Sequence, residues 1–239
     1  MNNFNTTSEA YTAALSTLID SPDFVCSPRG QTCSELVNWL FIVEHPTSDP
    51  IVTVSPDRNK KLTAYLAAET ELFLSGELRA SVWAAKASKF WAKLANSAGL
   101  ISSNYGWLTM RNSSLPNGLT PWEWARMSLL RDSDSRQAYV RVSLPEHQWL
   151  ENRDQVCTMH AMFMLREGRL YETTVMRSND VVRGLAYDMP WWCRCLDMMV
   201  DDLNAAGLRC VKGTYSHLAH SLHLYHKDLS TALEMLGRK

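Results

Sequence analysis

"VCTMHAMFMLREGRLYETTVMRSND", residues 156 to 180, contains two apolar runs separated by a short polar break. The runs "VCTMHAMFML" (156–165) and "LYETTVM" (170–176) have the aromatic and β-branched bias of strands, and "REG" between them supplies the glycine of a hairpin turn. Pairing the two runs has a chemical consequence. Arg177 follows Cys157 by 20 residues, so a hairpin makes them neighbours on adjacent strands. A cysteine in such a strand is commonly a small buried hydrophobe; it becomes a nucleophile when a nearby cation lowers its pKa.

Further strands are expected at "AYVRVSL" (138–144), "LVNWLFIV" (36–43) and "LRCVKG" (208–213). Helical spacing predicts an amphipathic helix over 8–19, a second over 59–76 with a glycine stop, and a third over 80–99 with its own terminal glycine. After the hairpin, a helix from about Asp188 to Ala206, closed by Gly207, is apolar over much of its girth, which predicts a buried central helix. The expected fold is α+β: one sheet packed by helices in a single domain over residues 1–239. No internal repeat, low-complexity tract or linker divides the chain. Asp188 stands at the mouth of the greasy helix, two residues before Pro190. Its simplest reading is a helix N-cap; the alternative is that it reads the edge of a bound base.

The 239 residues are 46% hydrophobic and include nine tryptophans, enough for a large core. Twenty-four basic against 25 acidic residues leave a formal charge of -1, so bulk attraction to nucleic acid or to an anionic membrane is not expected. Any phosphate bound would belong to a small ligand. The first residues lack a signal-peptide pattern and no stretch approaches a membrane span, so a cytoplasmic protein is expected. In that compartment the six cysteines are free thiols. No second pair accompanies Cys193 and Cys195, and His217, His220, His223 and His226 at a spacing of three would divide between two strand faces, so no metal is expected. On a strand, however, His223 and Tyr225 share a face, and both can bond a hydroxyl.

Five motifs together resemble the thymidylate synthase superfamily, and within it the deoxycytidylate hydroxymethylases of T-even bacteriophages. They are "SNYGW" (103–107), "DSDSRQ" (132–137), "VCTMHAMF" (156–163), "MRSNDVV" (176–182) with Gly184 two residues later, and "SLHLY" (221–225). The resemblance spans about residues 60 to 226 and implies a thymidylate synthase-like fold with a mixed sheet. It implies that Cys157 adds to C6 of a pyrimidine, making C5 a nucleophile toward the methylene of 5,10-methylenetetrahydrofolate. A thiolate suits this because it attacks well and leaves well. Arg177 and Ser178 correspond to phosphate ligands, with Arg177 also favouring the thiolate, and Arg29 loosely to a further phosphate arginine. Arg136 corresponds to an arginine reaching across a homodimer to the partner's phosphate site. The family often has a second arginine next to it; here that position is Gln137, which leaves more of the contact to Arg136. Glu69 matches the acid/base glutamate that works through water, Tyr105 and Trp91 the aromatics over base and folate, Asp180 the pterin carboxylate, and His223 with Tyr225 the sugar 3'-hydroxyl pair.

Thymidylate synthases carry asparagine at the position matching Asp188, which suits the edge of uracil. Cytosine reverses that edge, presenting an amino donor at C4 and an acceptor at N3. A carboxylate accepts from the amino group and stabilises a proton on N3. The resemblance therefore implies a dCMP hydroxymethyltransferase. A dCMP methyltransferase, a CMP hydroxymethylase and a silent nucleotide-binding protein are the alternatives. The stretch "LSTALEMLGRK" after Tyr225 has nothing like the tail that synthases close over the site, so water is expected to reach the transferred carbon.

Overall fold

The computed structural model describes residues 2–238. Its elements in chain order are β1 (Asn2–Phe4), α1 (Thr7–Asp20), β2 (Phe24–Cys26), β3 (Cys33–Val43), α2 (Pro56–Ser75), α3 (Ala80–Lys86), α4 (Tyr105–Met110), α5 (Pro121–Arg131), β4 (Tyr139–Arg141), β5 (Thr158–Arg166), β6 (Arg169–Met176), β7 (Asn179–Asp180), α6 (Ala186–Ala205), β8 (Val211–Tyr225) and α7 (Leu229–Met235). The cysteine-bearing segment is the hairpin β5–β6. Arg166 pairs with Arg169, leaving a two-residue turn in which Glu167 and Gly168 have φ of 51° and 73°. Two positive φ values in succession give a turn whose twist matches that of the strands it joins.

The strands form one mixed sheet in the order β1-β3-β8-β6-β5-β4, with β2 also on β3 and β7 also on β8. β8 lies antiparallel to β3 but parallel to β6, so it carries the change of direction at the centre of the sheet. Alternation then sorts the side chains. Ala161, Thr174, His217 and Phe41 form a buried row across β5, β6, β8 and β3, facing the helices. His160, Val175, Leu218 and Leu40 form a half-buried row on the opposite face. The Trp122 ring of α5 meets Phe163 edge-on at 5.9 Å, which fixes one corner of the helical layer.

The central helix is longer than its apolar pattern predicts. A π-helical turn at Val181–Leu185 runs into α6, making 25 residues in all, and Gly207 follows with φ 89°. Met189, Trp191, Trp192, Cys193, Cys195, Leu196 and Met199 are all buried in it. Asp180 caps this helix, its Oδ1 accepting from the backbone N–H of Val182 (2.9 Å) and Arg183 (3.0 Å). Asp188 therefore lies inside the helix and does not cap it.

Two other expectations are corrected. The 80–99 helix stops at Lys86, because extended Ser88 caps a separate 3-10 turn (Lys89–Lys93) and the Asn96 side chain accepts from Ala98 and Leu100 to build a tight turn at Gly99. The 208–213 strand begins only at Val211, because the Asn204 amide holds both backbone groups of Cys210. From Val211 the strand runs unbroken for 15 residues through the histidine segment.

Candidate active site

Hairpin register sets the first contact. The backbone N–H of Arg177 donates to Cys157 O at 2.9 Å, and its Nη2 lies 3.6 Å from Cys157 Sγ. The guanidinium is held rigidly because Nε donates to Val156 O (3.0 Å) and Nη2 to Gln155 O (2.5 Å). Cys157 is half-buried just before β5, beside the bulge between Thr158 and His160. Burial pushes its thiol up to about 11, against the downward pull of Arg177 and a smaller one from Arg29. The expected influence of Arg177 has the right sign, but burial is the larger effect.

Asp188 and Tyr105 lie near this thiol, and Glu69 lies near both of them. Asp188, in the first turn of α6, is raised to about 7 by burial and by Asp180, while the Asn179 side chain pulls it down. Glu69 comes from the buried face of α2 and rises to about 8 through burial and the charge of Asp188. Its Oε1 accepts from the Tyr65 hydroxyl at 3.1 Å, and that hydroxyl accepts from Trp91 Nε1 at 3.0 Å. Trp91 is thereby tied to Glu69 through Tyr65. Tyr105 is held by stacking on Phe73 (centroids 5.1 Å apart, 20° between planes); burial raises its hydroxyl well above the usual range, and Asp188 and Cys157 add to that. At neutral pH the site can thus hold protons on two carboxyls beside a thiol.

The ligand-binding candidates lie around the same centre. Asp180 pairs in register with His223 across β7 and β8, and burial raises its carboxyl against the opposing pull of His223. His223 is buried and meets the half-buried Tyr225 ring edge-on at 5.0 Å, as their shared strand face requires. Ser178 is half-buried between Arg177 and β7. Arg29 is exposed on a turn between β2 and β3 with φ 53°, and its charge reaches Cys157. Arg136 is exposed on the turn between α5 and β4, and it is not among the charges acting on Cys157. Tyr65 and Asn179 were given no role from the sequence, and His217 was weighed there only as a metal ligand. The i, i+4 spacing of Tyr65 and Glu69 on one helix was the available signal for the first; the other two meet only through strand register.

Among the described residues no cluster of three or more His, Cys, Asp or Glu is placed to hold a metal, and no helix is long and apolar enough to cross a membrane. A groove of about 510 Å³ lies along β4 and β5, lined by Tyr139, Arg141, Met159, His160 and Met162 among others, and it contains none of the candidate catalytic groups. The candidate catalytic groups sit instead where β5, β7, α2, α4 and α6 converge.

Comparison with known proteins identifies the family. Residues 47–239 match the family model for thymidylate synthase. The chain is 29% identical over 209 residues to the deoxycytidylate 5-hydroxymethyltransferases of Enterobacteria phages T4, T2 and T6, with 85% of this chain and 80% of each relative covered. With a family match over most of its length, the chain belongs to the thymidylate synthase family and is a folate-dependent one-carbon transferase.

Proposed function

We propose that the protein is a dCMP 5-hydroxymethyltransferase that uses 5,10-methylenetetrahydrofolate. The observation that carries this reading is a carboxyl, Asp188, raised to about 7 beside Cys157 and Glu69, where a cytosine edge needs an acceptor for its amino group. The names of the phage relatives support the same substrate. Trp91 offers an aromatic wall, and the Asp180 oxygen not used in capping offers an acceptor, which together suit the flat, N–H-bearing pterin of a folate. When bound, that cosubstrate supplies the one-carbon unit.

In this reading Cys157 Sγ bonds to C6 of the pyrimidine while Asp188 supports a proton at N3, and electron density moves to C5. Tyr105 holds the base in place. C5 then takes up the one-carbon unit and loses its proton, tetrahydrofolate departs to leave an exocyclic methylene, water adds to that carbon with protons moving through the hydrogen bonds around Glu69, and expulsion of Cys157 from C6 restores the ring. Arg177, Ser178 and Arg29 bind the phosphate, and His223 with Tyr225 holds the 3'-hydroxyl.

The enzyme works as a homodimer in the cytoplasm of its host cell, the whole chain acting as one catalytic unit, and Arg136 reaches the partner's phosphate. Support comes from the sheet face that carries the row His160, Val175, Leu218 and Leu40, half-exposed and apolar except for the histidine, and from exposed Arg136 just ahead of β4. The product serves modified DNA. Mass spectrometry of the product from dCMP and methylenetetrahydrofolate tests the reading: 5-hydroxymethyl-dCMP with tetrahydrofolate is expected. 5-Methyl-dCMP with dihydrofolate would replace it by the methyltransferase.

A further inference from the structure

Behind Asp188 lies a buried polar chain that the proposed chemistry does not use. The Tyr215 hydroxyl meets His217 Nδ1 at 2.8 Å, and His217 Nε2 meets Asn179 Nδ2 at 3.3 Å. Tyr215 and His217 are fully buried and Asn179 is 2% exposed. Phe41 stacks on the imidazole at 5.2 Å with 16° between the planes, which fixes the ring's orientation.

The far end of this chain points at the active site. A Cβ built on Gly184 would lie 2.8 Å from Asn179 Oδ1 and 3.0 Å from Asp188 Oδ2, so both oxygens converge on the same small space. As placed, Asn179 Oδ1 is buried without a hydrogen-bond partner. Such an orphan acceptor next to a carboxylate is unfavourable twice over, through lost hydrogen bonding and through repulsion. Turning the amide about its terminal bond keeps its shape and exchanges its donor and acceptor ends, giving up the 2.7 Å contact of Nδ2 with Met176 Sδ. Nδ2 then faces Asp188, Oδ1 accepts from His217 Nε2–H, and His217 Nδ1 accepts the Tyr215 hydroxyl proton.

We propose that Asn179, anchored by His217 and Tyr215, is a positioning residue that donates its amide N–H to Asp188 and so sets the charge with which Asp188 meets the base. This rests on reading Asp188 as the base selector. The groups acting on or facing Asp188 from the surrounding elements are Asp180 of β7, Cys157 ahead of β5, Tyr105 of α4, Glu69 of α2 and Tyr215 of β8. Each is an acid whose ionised form repels a negative charge on Asp188. The neutral amide is the donor that opposes them, and it pulls Asp188 downward. His217 suits the anchoring role because burial lowers it to about 3. It stays neutral at working pH, with one ring N–H, and its tautomer fixes which way the amide turns.

The test is the titration of the Asp188 carboxyl in the free protein, followed by 13C NMR of aspartate-labelled chains and assigned with Asp188→Asn. Asn179→Leu should raise its midpoint by about one pH unit, and the acid limb of kcat/KM for dCMP should move up with it. His217→Phe should shift it the same way, whereas His217→Gln, whose amide also donates, should bring it back toward wild type. Should Asn179→Leu prove unfolded by circular dichroism, Asn179→Ser is read in its place. An unmoved or lowered midpoint in a folded Asn179 variant overturns the proposal. If the wild-type protein does not turn over dCMP at all, the substrate reading fails, while the titration still judges the amide on its own.

Discussion

At the scale of single residues, the site sets burial against charge. Burial pushes Cys157 up to about 11 despite a guanidinium 3.6 Å away, so in the proposed reaction the thiol loses its proton as it attacks. Site-resolved alkylation by iodoacetamide, read by mass spectrometry, should therefore be slow at pH 7 and climb toward pH 11. Arg177→Met should move the curve further up, since the guanidinium lowers the thiol's pKa; a midpoint near pH 8 in the wild-type protein would contradict this. Asp188→Asn should shift preference from dCMP toward dUMP, because reversing donors and acceptors against a fixed edge costs on the order of several kcal/mol. Competition assays with both nucleotides measure it. An unchanged preference would leave Asp188 without a selector role.

At the scale of elements, the β5–β6 hairpin is the frame that brings Arg177 to Cys157, and its turn requires positive φ at both Glu167 and Gly168. Space is not the constraint at Gly168, since a Cβ there meets nothing within 4 Å. Gly168→Ala should cost about 1 kcal/mol through backbone strain alone. Denaturant unfolding checks this, with turnover expected to stay within about twofold because register is held by the strands. The helix reaching Asp188 is fixed differently. Asp180 caps its π-helical turn through one oxygen, which leaves the bare Gly184 backbone facing the Asn179 and Asp188 side chains.

At the scale of the whole molecule, buried acids make stability depend on pH. Glu69 rises from 4.5 to about 8 and Asp188 from 3.8 to about 7, so the folded protein binds these protons more tightly than the unfolded chain. Their contribution is fully present below about pH 4 and is lost as pH rises through 7 to 8. His217 acts in the opposite sense: it is lowered from 6.5 to about 3, and its contribution is lost as pH falls below 6.5. The melting temperature should accordingly decline between pH 6 and pH 8.5, and Asp188→Asn with Glu69→Gln should flatten that decline. Differential scanning calorimetry across the range checks the slope. For the proposed dimer, mixed Cys157→Ala and Arg136→Ala chains should recover activity in heterodimers, where one site regains both intact groups. No recovery after proven subunit exchange would place Arg136 elsewhere.

Local pattern was sufficient for much of this. Strand composition around Cys157, the turn chemistry of Glu167 and Gly168, and the apolar girth of the central helix each depend on neighbours in sequence, so hairpin, helix and the Cys157–Arg177 contact were legible beforehand. Spacing of two likewise put His223 and Tyr225 on one face. The break after Lys86 was not legible, because apolar spacing continues through it and only the side-chain caps of Ser88 and Asn96 redirect the chain. The cap role expected of Asp188 passed to Asp180 for a similar reason: both are good caps, and the choice followed from pairing β7 with β8. Tertiary structure alone decided the rest. Which carboxyls hold protons depends on burial by distant elements, and the Tyr215, His217 and Asn179 chain exists only because strand register brings a histidine behind an amide 38 residues away.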